Sequence, residues 1–393
     1  MRLFKANTRD TAPDSRTRPT VKRTSRADHI LHLQRTIGNQ ATQRYIQRAP
    51  PTEEAEFNAP ISPEQNRENW DAIVAAELDR YLQEFMNIPI RVSYEEDGQT
   101  VQTVVYVHPP YFMTANAGAL ENTKKRYDTA MENRKGASKE DRKAYGAASG
   151  PAKFGKARRD EIKLILETAL ANGAIATPPG KKHPDSGDLR DWLVKYGISV
   201  DCSGFVAYAI NQVMGHMHVV AGVEGEFDTF SGSGSQLGAS GNKRLSSLET
   251  PAELRPGTIQ HMPGHVRIVM TAERDGDAMI FTTAESTAGR GALHDEEGGE
   301  SVKDVGPRRA RWKYEDASKP FTDQALYFDR GDGTWVREKV RPVYSRVKAM
   351  DEFQDSNQPA LDDFAVIDFG DEYGTLVTAA EQTVEEANAA GAK

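Results

Sequence analysis

Residues 196–211 read YGISVDCSGFVAYAIN and contain Cys202, the only cysteine of this 393-residue chain. The segment predicts an apolar helix that begins at the cysteine, where backbone N–H groups lack helical partners. A helix N-terminus favours the thiolate over the thiol, so this position is typical of a nucleophilic cysteine. The small residues Ser203 and Gly204 leave room for a substrate carbonyl, and the Cys202 N–H is a candidate oxyanion donor. The alternative is a buried cysteine that only packs, because free cysteines are often buried.

A histidine that enters a strand is the second chemical signal. Residues 263–266 read PGHV and predict a tight turn followed by a strand that His265 opens. Residues 278–286 predict a further strand, which offers Glu285 to orient the imidazole and to stabilise its cation. The sequence therefore predicts Cys202 as nucleophile, His265 as its base and Glu285 as the third catalytic residue.

Other residues compete for two of these roles. The rival bases are His261, His216, His218 and His294. His261 is the nearest competitor, because it also lies beside a Pro-Gly pair. The alternatives to Glu285 in the third position are Ser286 and Thr283.

The two segments carry a resemblance to a known group of enzymes. DCSGFV at residues 201–206, followed by PGHVRIV at residues 263–269, resembles the NlpC and CHAP families of papain-like cysteine peptidases and amidases. The resemblance covers roughly residues 185–290 and implies an α+β papain-like fold, with a helix packed on an antiparallel sheet. It also implies a Cys202 nucleophile, a His265 base and, as in the CHAP pattern, Glu285. Those families mostly cut peptidoglycan, whereas relatives with unusual extensions act on other amides or esters.

The two ends of the chain differ strongly in charge. Residues 1–50 hold eleven Lys or Arg and three Asp, although the whole chain has a net charge of −8. Residues 349–392 contain no Lys or Arg and many Asp and Glu. The basic end has no apolar periodicity over residues 1–26, so we expect a disordered arm there.

A short amphipathic helix is predicted in the basic arm, over residues 28–46, because apolar residues recur at helical spacing. HLQRTIGNQATQRYIQR at residues 32–48 resembles a segment near the N-terminus of bacterial proteins encoded with extracellular contractile injection systems. Such systems are phage-tail-like machines that carry toxins. The resemblance implies that residues 28–48 load the chain into an injection particle, while an amphipathic helix without a special role is the alternative.

These features divide the chain into four predicted parts. They are a basic arm with a loading segment (1–56), a helix-hairpin extension (57–156), a papain-like catalytic domain (157–345) and an acidic C-terminal extension (346–393). Within the helix-hairpin extension, Ser62 and Pro63 predict the start of a helix, and Asp97-Gly98 predicts the turn between two strands.

Several classes of function are disfavoured by the sequence. His216 and His218 have the spacing of a metal-binding pair, but no nearby acid or histidine cluster completes a site, so we expect no metal and no cofactor. Residues 305–314 mix cations and aromatics, yet the acidic remainder argues against nucleic acid as a partner. No stretch reaches the roughly 18 apolar residues of a membrane span, and the opening MRLFKANTRD lacks the apolar run of a signal peptide.

Together these observations predict a cysteine hydrolase that acts on peptidoglycan or on a protein. We expect the chain to be cytoplasmic in the producing bacterium, loaded into an injection particle and delivered to a target cell. Two alternatives are an effector that cleaves or deamidates a target other than the cell wall, and a catalytically inactive binding or structural protein.

Overall fold

The computed structural model describes residues 62–112, 121–147, 155–224, 227–231, 237–238, 242–287, 306–331 and 333–359. The predicted basic arm with its loading segment, His294 and most of the predicted acidic extension lie outside the described residues. The described part combines seven α-helices with an eight-stranded antiparallel sheet and a separate hairpin. The predicted α+β class is therefore confirmed.

The helices and strands follow one another in two blocks. In chain order the α-helices are α1 (Pro63–Met86), α2 (Glu121–Lys135), α3 (Lys139–Tyr145), α4 (Arg159–Ala171), α5 (Ser186–Tyr196), α6 (Cys202–Val220) and α7 (Lys348–Ser356). The strands are β1 (Ile88–Glu96), β2 (Gln99–Val107), β3 (Leu245–Ser247), β4 (Ile259–Met262), β5 (His265–Asp275), β6 (Ala278–Thr287), β7 (Gly306–Tyr314), β8 (Leu326–Asp329), β9 (Trp335–Arg337) and β10 (Val343–Val347). Most helices thus precede the large sheet along the chain.

Helix α1 begins as the sequence predicts, at a serine followed by a proline. The Ser62 hydroxyl accepts a hydrogen bond from the Gln65 N–H at 3.1 Å, and Pro63 occupies the first turn, where its missing N–H costs nothing. Trp70 and Leu78 are fully buried on the inner face of the helix, which packs against α6 and α7. Burial of this apolar face stabilises α1 more than its intrinsic helix propensity does.

Strands β1 and β2 form the predicted hairpin. Asp97 and Gly98 have φ angles of 51° and 76°, which suit the two-residue turn that joins twisted antiparallel strands. The inward side chains of β1 are buried, and the hairpin packs against α4 and α5. The residues that follow β2 therefore lie near the start of α6.

The large sheet has the strand order β3-β10-β4-β5-β6-β7-β8-β9, and all its pairs are antiparallel. Helices α1 and α6 pack against β5. On β6, Phe281 and Glu285 point to the same face, because alternate residues of a strand share a face. Phe281 lies there in an aromatic core with Trp312 and Tyr314. Glu285 is consequently placed at the edge of an apolar environment.

Candidate active site

Cys202 is the first residue of α6, as predicted from the sequence. The Asp201 carboxylate caps the helix by accepting the Gly204 N–H at 2.7 Å. Cys202 is only 6% exposed, and the backbone N–H groups of Val266 and Ser203 lie close enough to its sulfur to favour the thiolate. The Val266 N–H places the sulfur near the peptide bond between His265 and Val266, at the start of β5.

The charge state of the thiol differs from the one predicted from the helix position. Burial and, after it, the negative charge of Asp201 together raise the pKa of Cys202 from 9.0 to about 12. The Val266 N–H, Lys156 and the Ser203 N–H lower the pKa but do not outweigh burial. The expectation of a thiolate at neutral pH is therefore wrong for this structure, because desolvation disfavours the charged form more than the helix end favours it.

His265 and Glu285 lie in direct contact. The His265 Nε2 atom is 2.6 Å from Glu285 Oε2. An ionised carboxylate can only accept a hydrogen bond, so the imidazole proton sits on Nε2 and Nδ1 carries the lone pair. Burial lowers the pKa of His265 below 6.5, although the bond to Glu285 opposes this shift. The imidazole is therefore neutral at pH 7 and able to accept a proton on Nδ1.

Glu285 is fully buried between two arginines. Arg308 donates to Oε1 through Nε at 3.1 Å and Nη2 at 2.6 Å, and Arg267 donates to Oε2 through Nε. Burial opposes ionisation of Glu285, but the two guanidinium groups outweigh it and hold its pKa well below 4.5. Arg267 is held in turn by Gln260 at 2.9 Å and lies over the Trp312 ring, 4.2 Å from the ring centre. Glu285 is thus an anion at neutral pH.

The rival residues have other partners or lie elsewhere. The Trp312 indole N–H donates to the Thr283 hydroxyl at 2.9 Å, and the Ser286 hydroxyl donates to the Val200 carbonyl at 2.7 Å. Neither residue therefore occupies the position that Glu285 takes beside His265. The rival histidines within the described residues are His261, opposite Val266 in the β4–β5 pair, His216, 4.0 Å from Glu77, and His218, stacked on Phe353.

Tyr111 contacts Cys202 from a segment that the sequence did not single out. Its hydroxyl makes a hydrogen bond with the Cys202 thiol, and burial together with Cys202 and Asp201 raises the pKa of Tyr111 well above 10.0. We call residues 108–112 the Tyr111 strap. A Pro-Pro-Tyr sequence after a strand carries no catalytic signal, so only the folded chain reveals this contact.

The Tyr111 strap is fixed at both ends. Arg126 Nη2 donates to the Tyr111 carbonyl at 3.0 Å, and the His108 Nε2–H donates to the Pro307 carbonyl at 2.7 Å. Arg190 donates to the His108 carbonyl. These contacts tie the strap to α2, α5 and β7, so the Tyr111 hydroxyl is held rigidly beside the sulfur.

Lys156 is a second residue near Cys202 that sequence reasoning missed. Its Nζ atom lies 2.5 Å from both carboxylate oxygens of Asp201 and also donates to the Ser203 hydroxyl. A β-bridge between Lys156 and Val200 fixes the backbone there. Gly155 precedes it with φ of +76°, and a Cβ at that position would collide with the Phe112 carbonyl. Only glycine fits this junction without moving the strap.

The structure thus brings together His265 with Glu285, and Cys202 with Tyr111, Asp201 and the Val266 N–H. No hydrogen bond joins the Cys202 sulfur to the His265 ring within the described part of the chain. In the same residues no group of three or more His, Cys, Asp or Glu is arranged to hold a metal ion. No helix in the described ranges is long and apolar enough to cross a membrane.

Comparison of the chain with known protein families, with curated proteins and with solved structures finds no match.

Proposed function

We propose that this chain is a cysteine-dependent amidohydrolase of the papain-like type, in which His265 serves Cys202 as base. The observation that carries the proposal is the hydrogen bond from His265 Nε2–H to Glu285. It leaves Nδ1 as a neutral base on the residue next to Val266, whose N–H contacts the sulfur. A buried anion behind an imidazole is the arrangement that orients a catalytic histidine and stabilises its protonated form.

The proposed reaction starts from a neutral thiol and a neutral imidazole. The sulfur attacks the carbonyl carbon of an amide while Nδ1 of His265 takes the thiol proton. The tetrahedral oxyanion accepts hydrogen bonds from the Cys202 N–H and the Tyr111 hydroxyl. His265 then gives its proton to the leaving nitrogen, the C–N bond breaks, and a thioester remains. Water hydrolyses the thioester, with His265 first removing a water proton and then returning it to the sulfur.

The proposed substrate is the peptide part of peptidoglycan or an amide of a target protein, and the proposed role is that of a toxin effector. Direct support for the chemistry comes from the site, whereas the resemblance of residues 201–206 and 263–269 to peptidoglycan-cleaving families supports the wall substrate. Since Cys202 and His265 are only 6% and 14% exposed, a slender acyl group fits this site better than a bulky one.

A second candidate is a binding or structural protein in which Cys202 is only a packing residue. The raised pKa of the thiol favours this reading, because a protonated, buried thiol is unreactive by itself. A base that takes the thiol proton during attack makes a protonated thiol compatible with catalysis. Replacement of Cys202 separates the two candidates.

The replacement Cys202→Ser tests the chemistry. We expect the wild-type protein to release new muropeptides from purified sacculi or to modify a protein in a target-cell lysate, as followed by mass spectrometry. Cys202→Ser should lower the rate by about a thousandfold or more, because a hydroxyl is far less acidic than a thiol. Products from the lysate but not from the sacculi would indicate that the substrate is a protein and not peptidoglycan. Equal rates in both proteins would refute the cysteine mechanism.

The proposed delivery by an injection particle has its own test. Residues 28–48 are proposed to load the chain, so deletion of residues 1–50 should abolish its co-sedimentation with purified particles. Activity of the truncated protein toward its substrate should persist, because the described site residues all lie beyond residue 62. Undiminished loading of the truncated chain would contradict the proposal.

A further inference from the structure

Lys156 forms an ion pair directly beside the candidate nucleophile. Its Nζ atom contacts both oxygens of Asp201 at 2.5 Å, and the side chains of Lys156 and Asp201 are 22% and 6% exposed. A pair this close and this buried is weakly screened by water, so its charges act strongly on neighbouring groups.

Asp201 stabilises helix α6 but disfavours ionisation of the next residue, Cys202. Its carboxylate caps α6 through the Gly204 N–H, which stabilises the helix that presents Cys202. The same negative charge opposes formation of a thiolate on Cys202. Without a counter-ion, the Asp201 carboxylate that caps α6 would also suppress ionisation of the Cys202 thiol.

The other groups that face the sulfur carry no compensating charge. They are the Tyr111 hydroxyl from the strap and the Val266 and Ser203 N–H groups, and His265 at the start of β5 is neutral as well. Arg267 and Arg308 are cations of the same sheet, but both are paired with Glu285. Lys156 is therefore the cation that balances Asp201 next to the thiol.

We propose that Lys156 is a positioning residue of the active site, which neutralises Asp201 and so permits Cys202 to lose its proton during attack. The proposal rests on the proposed role of Cys202 as nucleophile. Lys156 is the last residue of the predicted helix-hairpin extension, so a residue outside the predicted catalytic domain controls the reactivity of the thiol.

The experiment measures the rate at which iodoacetamide alkylates Cys202 at one alkaline pH below the pKa of the thiol. In Lys156→Met the unbalanced Asp201 charge should slow labelling by about tenfold, which corresponds to a rise of about one unit in the thiol pKa. In Asp201→Asn the remaining Lys156 charge should speed labelling by a similar factor. Asparagine also caps helices well, so the start of α6 is retained. The double variant should return close to the wild-type rate.

Two further variants control the experiment. Lys156→Arg keeps the charge and should restore most of the labelling rate. Lys181→Met removes an exposed ion pair with Asp185, 2.6 Å long, and should leave labelling unchanged. A purely structural role for Lys156 would make both single variants label faster, because loosening exposes the thiol. Changes of the same sign in Lys156→Met and Asp201→Asn, or no change in either, would overturn the proposal.

This readout is independent of the proposed function. Labelling reports ionisation of the thiol, whereas loss of turnover in Cys202→Ser reports catalysis. Opposite shifts in labelling without any detectable hydrolysis would uphold the electrostatic role of Lys156 and refute the hydrolase.

Discussion

Glu285→Gln will lower the free energy of unfolding by about 3–5 kcal/mol, the usual cost of removing one partner from a buried ion cluster. The wild-type carboxylate is fully buried and accepts from His265, Arg267 and Arg308. Glutamine has nearly the same shape but no charge, so both guanidinium groups lose their counter-ion in an apolar environment. Chemical denaturation followed by circular dichroism measures the loss.

The control for this prediction is Asp329→Asn in the same sheet. It removes an ion pair with Arg311, 2.9 Å long, in which the Arg311 side chain is 51% exposed. Exposed pairs contribute about 1 kcal/mol or less, so this variant should unfold close to the wild type. Equal losses in both variants would contradict the central role of Glu285.

The same cluster predicts how stability depends on pH. Because the pKa of Glu285 is held well below 4.5, its contribution is complete above the ordinary carboxyl pKa and is lost as the pH falls through the lowered value. In Glu285→Gln this part of the acid dependence should disappear, and the difference between the two proteins should shrink as the pH decreases.

His265→Ala will reduce turnover by about 10²–10⁴-fold, which is the typical contribution of a general base. The thiol pKa of about 12 makes this dependence strong, because a protonated thiol needs a base during attack. His261→Ala is the matched control, since His261 also lies beside a Pro-Gly pair but faces Val266 across the β4–β5 pair. Comparable losses in both variants would refute the assignment of His265.

The pH profile of wild-type turnover is a second test of His265 as the base. His265 must be neutral to accept a proton, and burial lowers its pKa below 6.5. Activity should therefore fall as the pH decreases through that lowered value and stay level between neutral and moderately alkaline pH. A rate that instead rises steadily toward pH 12 would show that the preformed thiolate is the nucleophile and that His265 is not its base.

A neutral resting pair also has a consequence for reactivity toward general thiol reagents. Because burial raises the pKa of the thiol, we expect Cys202 to react slowly with general alkylating and oxidising reagents at neutral pH. The Tyr111 hydroxyl lies beside the sulfur in this buried site.

Local sequence signals predicted most of the elements that carry the site. The Ser62-Pro63 cap predicts the start of α1, the Asp97-Gly98 turn predicts the β1–β2 hairpin, and the apolar run after Cys202 predicts α6. These predictions succeeded because caps, turns and hydrophobic periodicity act within a few residues. The assignment of the outer parts of the chain to an arm and an acidic extension stays a prediction.

The sequence by itself determined that Cys202 starts a helix, that His265 starts a strand, and that Glu285 is on the neighbouring strand. Only the tertiary structure decided that the thiol is buried and protonated. It also decided that Tyr111, 91 residues before Cys202, contacts the thiol and that Lys156, 46 residues before it, pairs with the adjacent Asp201. The physical reason is that helix and strand formation depend on neighbouring residues, whereas desolvation and charge balance depend on whatever long-range packing places around an atom.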